Sequence, residues 1–354
     1  MQTTKEPFHS MNRYNSLNFL RGFSAIGVMF CHIIANIQPK PEFPFILSSN
    51  IGKMAWLTML FLTISGFSMC CGYYNRFKQN NFNLNAFYKK RFMRIWPIFA
   101  LVVFLELLYN PSIISLKEAF ADLSLSFALY PNPNISVCGV GWFIGIIFVF
   151  YMIFPYFVFL LWNKKRAWIV FGTTIVLHYI GVSHFYDTSF VSATFVPKYN
   201  FIFCIPFLFL GGLLFLYKEF IVKIKKIYII ILSLITLLSW ILIKETEPYF
   251  TMSLILIYSV WIVLCISNTH KLFDNKVTKF FSDISMEVYL IHMVIFRIIE
   301  KCHLESFIYD SSILFLVFSL IMLITVILVS GIIHYYLLSK IKKMTGNIAR
   351  ILFE

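Results

Sequence analysis

Apolar runs of helix length recur from one end of this chain to the other, at 17–37, 52–74, 94–110, 141–162, 167–182, 200–217, 227–243, 249–267, 283–302 and 311–337. A bilayer core about 30 Å thick is crossed by roughly 20 residues of helix, so runs of this length read as spans. Within lipid, each backbone N–H and C=O must be paired inside its own segment, which favours helices. A chain that is 59% hydrophobic and 13% charged also carries too much apolar surface for one water-soluble core. The expected fold is all-α: a polytopic membrane helix bundle with about ten transmembrane helices. It forms one domain over residues 1–354, with no appended soluble domain.

The net charge of +14 does not point to nucleic acid, because the basic residues fall in short loops between the runs. Most of the 30 Lys and Arg residues collect on one side of the expected bundle. Lys5, Arg13 and Arg21 precede or open the first run, and Arg76, Lys78, Lys89, Lys90, Arg91 and Arg94 lie between the second and third. Further groups lie at 164–166, 218–226, 271–279 and 340–350, the last including Lys340, Lys342, Lys343 and Arg350. The positive-inside rule then places both termini in the cytoplasm. The first run is too long for a signal peptide and has no small-residue cleavage site after it, so it is expected to remain as a span. Of seven cysteines, Cys31, Cys70, Cys71, Cys204 and Cys265 lie within runs, which fits neither a disulfide framework nor a metal site. Cys138 and Cys302 are placed toward the outer side and are the pair that could be bridged. The outer segment 110–140 contains LSLSFALYPNP, too short to span and readable as a re-entrant or interfacial element.

Charged and titratable residues inside these runs carry the chemistry. Arg21 and His32 are eleven residues apart in LNFLRGFSAIGVMFCHIIANI, about three turns and roughly 16 Å along a helix, so they share a face. Two such side chains on one face of a span suggest a lined cavity; alternatively Arg21 snorkels to the interface and His32 is a hydrogen-bonded core residue. In FYKKRFMRIWPIF, Arg91 and Arg94 are helix-surface neighbours and Pro97 suits a first turn, so the pair can seat a phosphate or simply mark the cytoplasmic side. Ser285, Tyr289 and His292 recur at i, i+4 and i+7 and either glue helices together or line a substrate path. Trp142 opens the fourth run, where a membrane-interface position and sugar stacking compete. His184 and Asp187 are close in the outer loop 181–200, where polar residues are usually solvated. His178 and His334 read as packing residues. Cys31 and His32 point about 100° apart, which argues against a Cys-His nucleophile pair.

Four stretches together resemble the acyltransferase-3 family of integral-membrane O-acyltransferases. LNFLRGFSAIGVMFCH is similar to its first-helix motif with Arg and His separated by ten residues, and LFLTISGF to its Ser-Gly-Phe motif. KRFMRIWP resembles its Arg-x-x-Arg segment, and SMEVYLIH its late Ser-x-x-x-Tyr-Leu-x-His signature. The pieces occur in family order along the whole chain. The resemblance implies an enzyme of the bacterial inner membrane that moves an acyl group, usually acetyl, from cytoplasmic acetyl-CoA to a hydroxyl of a lipid-linked or cell-surface glycan. It implies no metal. Carried over by position, Arg21 and His32 are the catalytic residues, and Arg91 and Arg94 bind the acyl-CoA. Trp142, Ser285, Tyr289 and His292 line the acceptor path on this reading. An imidazole titrates near neutral pH and can take the proton of an attacking hydroxyl, which suits His32 as general base.

Two positions depart from the family pattern. Asn18 stands where many members carry Asp three residues before the Arg, so a buried ion pair to Arg21 is not expected from it. Ile147 stands where many carry Glu, and Glu106 is a candidate substitute, or else an interface-level or protonated carboxyl. The rival reading is a carrier of a lipid-linked sugar or small solute, since intramembrane Arg and His suit transport too.

Overall fold

The computed structural model describes residues 14–79, 81–125, 127–130, 137–247, 249–267, 270–338 and 340. Lys5, Arg13, Lys342, Lys343 and Arg350, and Ser126 and Pro131–Pro133 of LSLSFALYPNP, lie outside the described residues. The helices are, in chain order, α1 (Leu17–Asn36), α2 (Phe45–Lys53), α3 (Leu57–Lys78), α4 (Leu84–Tyr109), α5 (Ile113–Leu123), α6 (Trp142–Leu161) and α7 (Lys164–Ile180). They continue with α8 (Phe201–Leu216), α9 (Lys218–Ile221), α10 (Lys226–Leu242), α11 (Phe250–Ser267), α12 (Lys276–Asp283), α13 (Ser285–Glu300) and α14 (Ser311–Ile332). No strand occurs among the described residues.

Each of the ten apolar runs is helical. Among the described residues seven helices are long and apolar enough to cross a membrane, against the expectation of about ten. The other three, α8, α10 and α13, are 16, 17 and 16 residues long. Local chemistry sets one of these limits: the Asn200 side chain accepts from the Ile202 N–H and starts α8 there.

At the centre of the bundle α3 and α8 pack backbone against backbone through glycines. A Cβ at Gly66 would meet the Leu208 carbonyl, and one at Gly211 would meet Thr63 O and lie 2.6 Å from Phe67 N. Helix association in lipid lacks a hydrophobic drive and depends on such close approach. Gly211→Val is therefore expected to destabilise the fold by at least about 1–3 kcal/mol, the usual cost of overpacking. The check is the thermal loss of monodisperse protein in detergent. Gly172→Ala, where a new Cβ meets nothing within 4 Å, is the unaffected control.

The segment after α4 turns back into the bundle. The Trp96 indole N–H donates to the Leu123 carbonyl at 3.1 Å, and Phe99 and Phe127 lie 6.2 Å apart, so α5 runs back alongside α4. Its outer face exposes Ile113 (68%), Leu116 (53%) and Phe120 (79%), while Ser115, Ala119 and Asp122 are buried. Leu125, Phe127 and Ala128 of LSLSFALYPNP are buried against the bundle, as either reading of that stretch allows.

Several buried charged side chains find partners from distant parts of the chain. Glu106, considered above as a stand-in acid or base, is instead in an ion pair with Arg297 of α13, because a carboxylate this buried is costly unless paired. His334, read as a packing residue, meets Glu287 with Nδ1 at 2.8 Å from Oε1. Lys53, 1% exposed, donates to the carbonyls of Trp240, Ile241 and Ile243 at 2.7, 3.0 and 2.8 Å and so closes the C-terminal end of α10. Cys138 is buried and Cys302 exposed, and both are free, so the bridge considered between them does not form.

Candidate active site

His32 lies in the last turns of α1, half-buried, with its ring centroid 5.1 Å from that of His292 on α13. The two imidazoles come from opposite ends of the sequence and meet inside the bundle. His292 is buried, and its Nδ1 is 3.2 Å from the Val288 carbonyl. A carbonyl only accepts, so Nδ1 carries the proton and Nε2 is left as a lone pair. That Nε2 is buried and has no hydrogen-bond partner among the described residues, which leaves its lone pair able to accept a proton or a ligand donor. Cys31 turns away from this pair, its thiol on the Gly52 carbonyl at 3.2 Å.

The three polar positions of α13 share a face as their spacing predicts, but each has its own partner. Ser285 Oγ donates to the Ser282 carbonyl at 2.8 Å, at the junction with α12. The Tyr289 hydroxyl donates to the Val140 carbonyl at 2.9 Å, tying α13 to the turn that leads into α6. Only His292 reaches His32. Trp142 is buried and stacks on Tyr199 at 4.7 Å, so it is an interior aromatic and not part of a lipid-facing belt.

Toward the other end of α1, Arg21 donates to Ser68 on α3 at 2.5 Å and to Asn18 Oδ1 at 3.2 Å. Asn18 also accepts from Ser282 at 3.0 Å. A neutral amide thus holds Arg21 where an ion pair was not available. Arg91 is buried, donates to the Tyr73 hydroxyl at 2.5 Å, and lies 5.0, 5.7 and 5.4 Å from the rings of Tyr73, Phe87 and Tyr151. Its Nε has no hydrogen-bond partner among the described residues. Arg94 is exposed, so the structure turns only one of the two guanidinium groups inward. Arg21 and Arg91 both reach α3, at Ser68 and Tyr73, about 7–8 Å apart along that helix.

In the 181–200 loop His184 and Asp187 are both exposed, as expected of loop polar residues. Asp187 is bound by its own loop: the Ser189 hydroxyl and N–H both donate to it, at 2.6 and 2.9 Å, and hold its carboxyl below the usual range. His184 packs on Phe185 and Phe190, and His178 is satisfied by the Phe203 carbonyl at 3.0 Å. The residue that sequence reasoning missed is Lys198, in the Pro197–Tyr199 turn ahead of α8. Its ammonium sits over the Trp56 ring at 5.7 Å, the indole N–H of that ring being held by Glu245 at 3.1 Å, and burial lowers the pKa of the lysine. Pro197 directly before it, pinning a lysine to a helix start, was the available signal. No group of three or more His, Cys, Asp or Glu suited to a metal occurs among the described residues.

A family model described as an acyltransferase domain, that of the acyltransferase-3 family, matches residues 14–335. The chain belongs to this family. It is a multi-pass membrane protein of the acyltransferase-3 family, and the match takes in α1 through the end of α14, including every residue of the cluster just described. It is similar to an uncharacterized protein of Haemophilus influenzae, 29% identical over 164 residues, which cover 39% of this chain and 62% of the relative. No solved structure matches the chain.

Proposed function

We propose that this acyltransferase-3 protein is an O-acetyltransferase of the bacterial inner membrane. It takes the acetyl group of cytoplasmic acetyl-CoA and passes it to a hydroxyl of a lipid-linked or cell-surface glycan. The observation that carries this reading is the pairing of two imidazoles, His32 and His292, in the interior of a bundle from this family. Ester formation needs the acceptor hydroxyl to lose its proton as it attacks the thioester carbonyl. The half-buried His32 takes that proton. His292 stands behind it, its tautomer fixed by Val288.

The donor enters from the basic end. CoA phosphates stay in the aqueous layer there, beside Arg94, Lys89 and Lys90, and Arg91 turns inward at the entrance to the bundle. Arg21, held on Ser68, lies between this entrance and the imidazole pair. Trp142 on Tyr199, with Tyr289 and Ser285, borders the acceptor path. Arg91→Ala is expected to weaken acetyl-CoA binding about tenfold or more, since hydrogen bonds to a charged group contribute about 1.5–3 kcal/mol. Arg94→Ala is expected to do less. Titration of purified protein with acetyl-CoA measures both.

The test of the whole reading is to incubate protein reconstituted in vesicles with radiolabelled acetyl-CoA and the glycan-lipid fraction of the cells. Label in the glycan supports it, matched by an acetyl-sized mass difference between glycans of strains with and without the gene. Glycan that moves across the vesicle and stays unlabelled assigns a carrier instead.

A further inference from the structure

A cavity of about 240 Å³ opens where the far end of α1 meets α13 and α14, at the opposite end of α1 from Arg21. Ile37, Phe296 and Phe318 form its buried floor, the two phenyl rings lying 5.0 Å apart. Gln38, Glu300 and Glu305 stand exposed at its rim. An apolar floor with a few polar groups is the usual form of a ligand site, and this one is smaller than the roughly 300–1,000 Å³ of sites for drug-sized ligands. One sugar ring is a suitable guest, with its C–H face on the phenyl rings and its hydroxyls toward the rim.

The cavity lies just beyond the imidazole pair. Ile37 follows His32 by five residues and Phe296 follows His292 by four, a separation of about 6–8 Å along each helix. Phe296 also shares a face of α13 with His292, one turn further on. The two segments that supply the imidazoles thus supply two walls of the cavity. Charge selects the guest, because carboxylates accept from hydroxyl and ammonium groups and repel other anions. Glu305 is oriented by His303, whose Nδ1 lies 2.9 Å from its Oε1. The neighbouring cations are engaged elsewhere: Lys40 on the Ile34 and Ala35 carbonyls at 3.2 and 2.6 Å, Arg297 in its ion pair with Glu106, and Lys301 over the Tyr109 ring at 4.4 Å.

We propose that this cavity seats the sugar ring that receives the acyl group, and that Glu300 and Glu305 restrict that ring to neutral or amino sugars and turn away acidic ones. This rests on the acyl-transfer reading above and names the class of its acceptor. The seated ring presents a hydroxyl inward, along α1 and α13 toward His32. Glu300 and Glu305 bind its other hydroxyl or ammonium hydrogens and exchange no proton in the reaction. The rest of the glycan, with any lipid phosphate, stays outside the cavity.

The experiment compares full-length wild type in vesicles with Glu300→Gln, Glu305→Gln, the double variant and Glu300→Lys. Both carboxylates are exposed, so each variant is expected to fold. Binding is read without any reaction, by saturation-transfer NMR with methyl glycosides of hexoses, hexosamines and hexuronic acids as probes. Wild type is expected to bind the first two and to bind the hexuronides at least about tenfold more weakly. The double variant is expected to weaken hexoside binding about tenfold or more, the scale of hydrogen bonds to charged groups, and to lose the discrimination. Glu300→Lys shifts the preference toward hexuronides. Transfer of label from acetyl-CoA to graded amounts of the cells' glycan-lipid fraction is measured alongside. There the double variant needs about tenfold more acceptor for half-maximal rate, with the maximal rate and acetyl-CoA affinity unchanged. If wild type binds hexuronides as well as hexosides, or the double variant keeps the wild-type half-saturation, the cavity is not the acceptor's seat. If wild type transfers no label while hexoside binding still depends on the two carboxylates, it is the acyl-transfer reading that falls.

Discussion

Replacing His32 with alanine is expected to lower acetyl transfer by about 10²–10⁴-fold, the usual contribution of a positioned general base. The protein should still purify as a folded species, because the ring is half-buried and makes no side-chain hydrogen bond with the described residues. His292→Ala tests the second imidazole. It removes the lone pair at Nε2 and opens the space behind His32, and a loss comparable to that of His32→Ala is expected. If the two rings act as a unit, the double variant should be little worse than either single one, since such effects are strongly non-additive. The measurement is label transfer from acetyl-CoA in vesicles, with acetyl-CoA affinity determined in parallel. Normal transfer by His32→Ala would overturn the catalytic assignment. Weakened acetyl-CoA binding with an unchanged maximal rate would move the ring to the donor site.

The largest stability effect is expected at Glu106 and Arg297. The Glu106 carboxylate is almost fully enclosed, and Arg297 is about a quarter exposed. Glu106→Leu leaves a cation in a low-dielectric site without its counter-charge, a loss of about 3–5 kcal/mol for a buried pair. Arg297→Leu leaves the more deeply buried carboxylate alone and is expected to cost at least as much, reduced only as far as that group can take up a proton. Removing both charges together restores most of the stability, because two apolar side chains need no compensation. The temperature at which half of the monodisperse protein is lost in detergent reads all three variants. A double variant as unstable as the singles would mean that the residues act through packing and not through charge.

The helices were legible because span length and backbone pairing in lipid leave little choice, and all ten apolar runs are helical. Three of them are shorter than a full span because their ends depend on caps and junctions, such as Asn200 ahead of α8, which hydropathy does not register. The spacing of Arg21 and His32 correctly put them on one face, yet nothing in that spacing said that His32 would meet His292. That contact depends on how α1 packs on α13, a choice made by tertiary structure. The same holds for Arg91 and Arg94: helical proximity made them neighbours, and the packing of Tyr73, Phe87 and Tyr151 then drew one inward and left the other outside. Glu106 stood out as a carboxyl inside a span, but its ion pair with Arg297 joins residues far apart in sequence and is set by the packing of α4 on α13. Lys198 went unremarked because an outer-loop lysine looks like an ordinary solvated charge until the Pro197–Tyr199 turn is seen folded over Trp56.

Lys53 sets an order of events during synthesis. Its ammonium is satisfied by carbonyls at Trp240, Ile241 and Ile243, which leave the ribosome long after it does. Until that stretch has been inserted, the lysine has no native acceptors and must keep to the water-facing rim. The α2 segment therefore reaches its resting place only when α10 arrives, so the front of the chain waits on its later half. A chain cut short before residue 240 would present an unlocked first third to the quality-control proteases of the membrane.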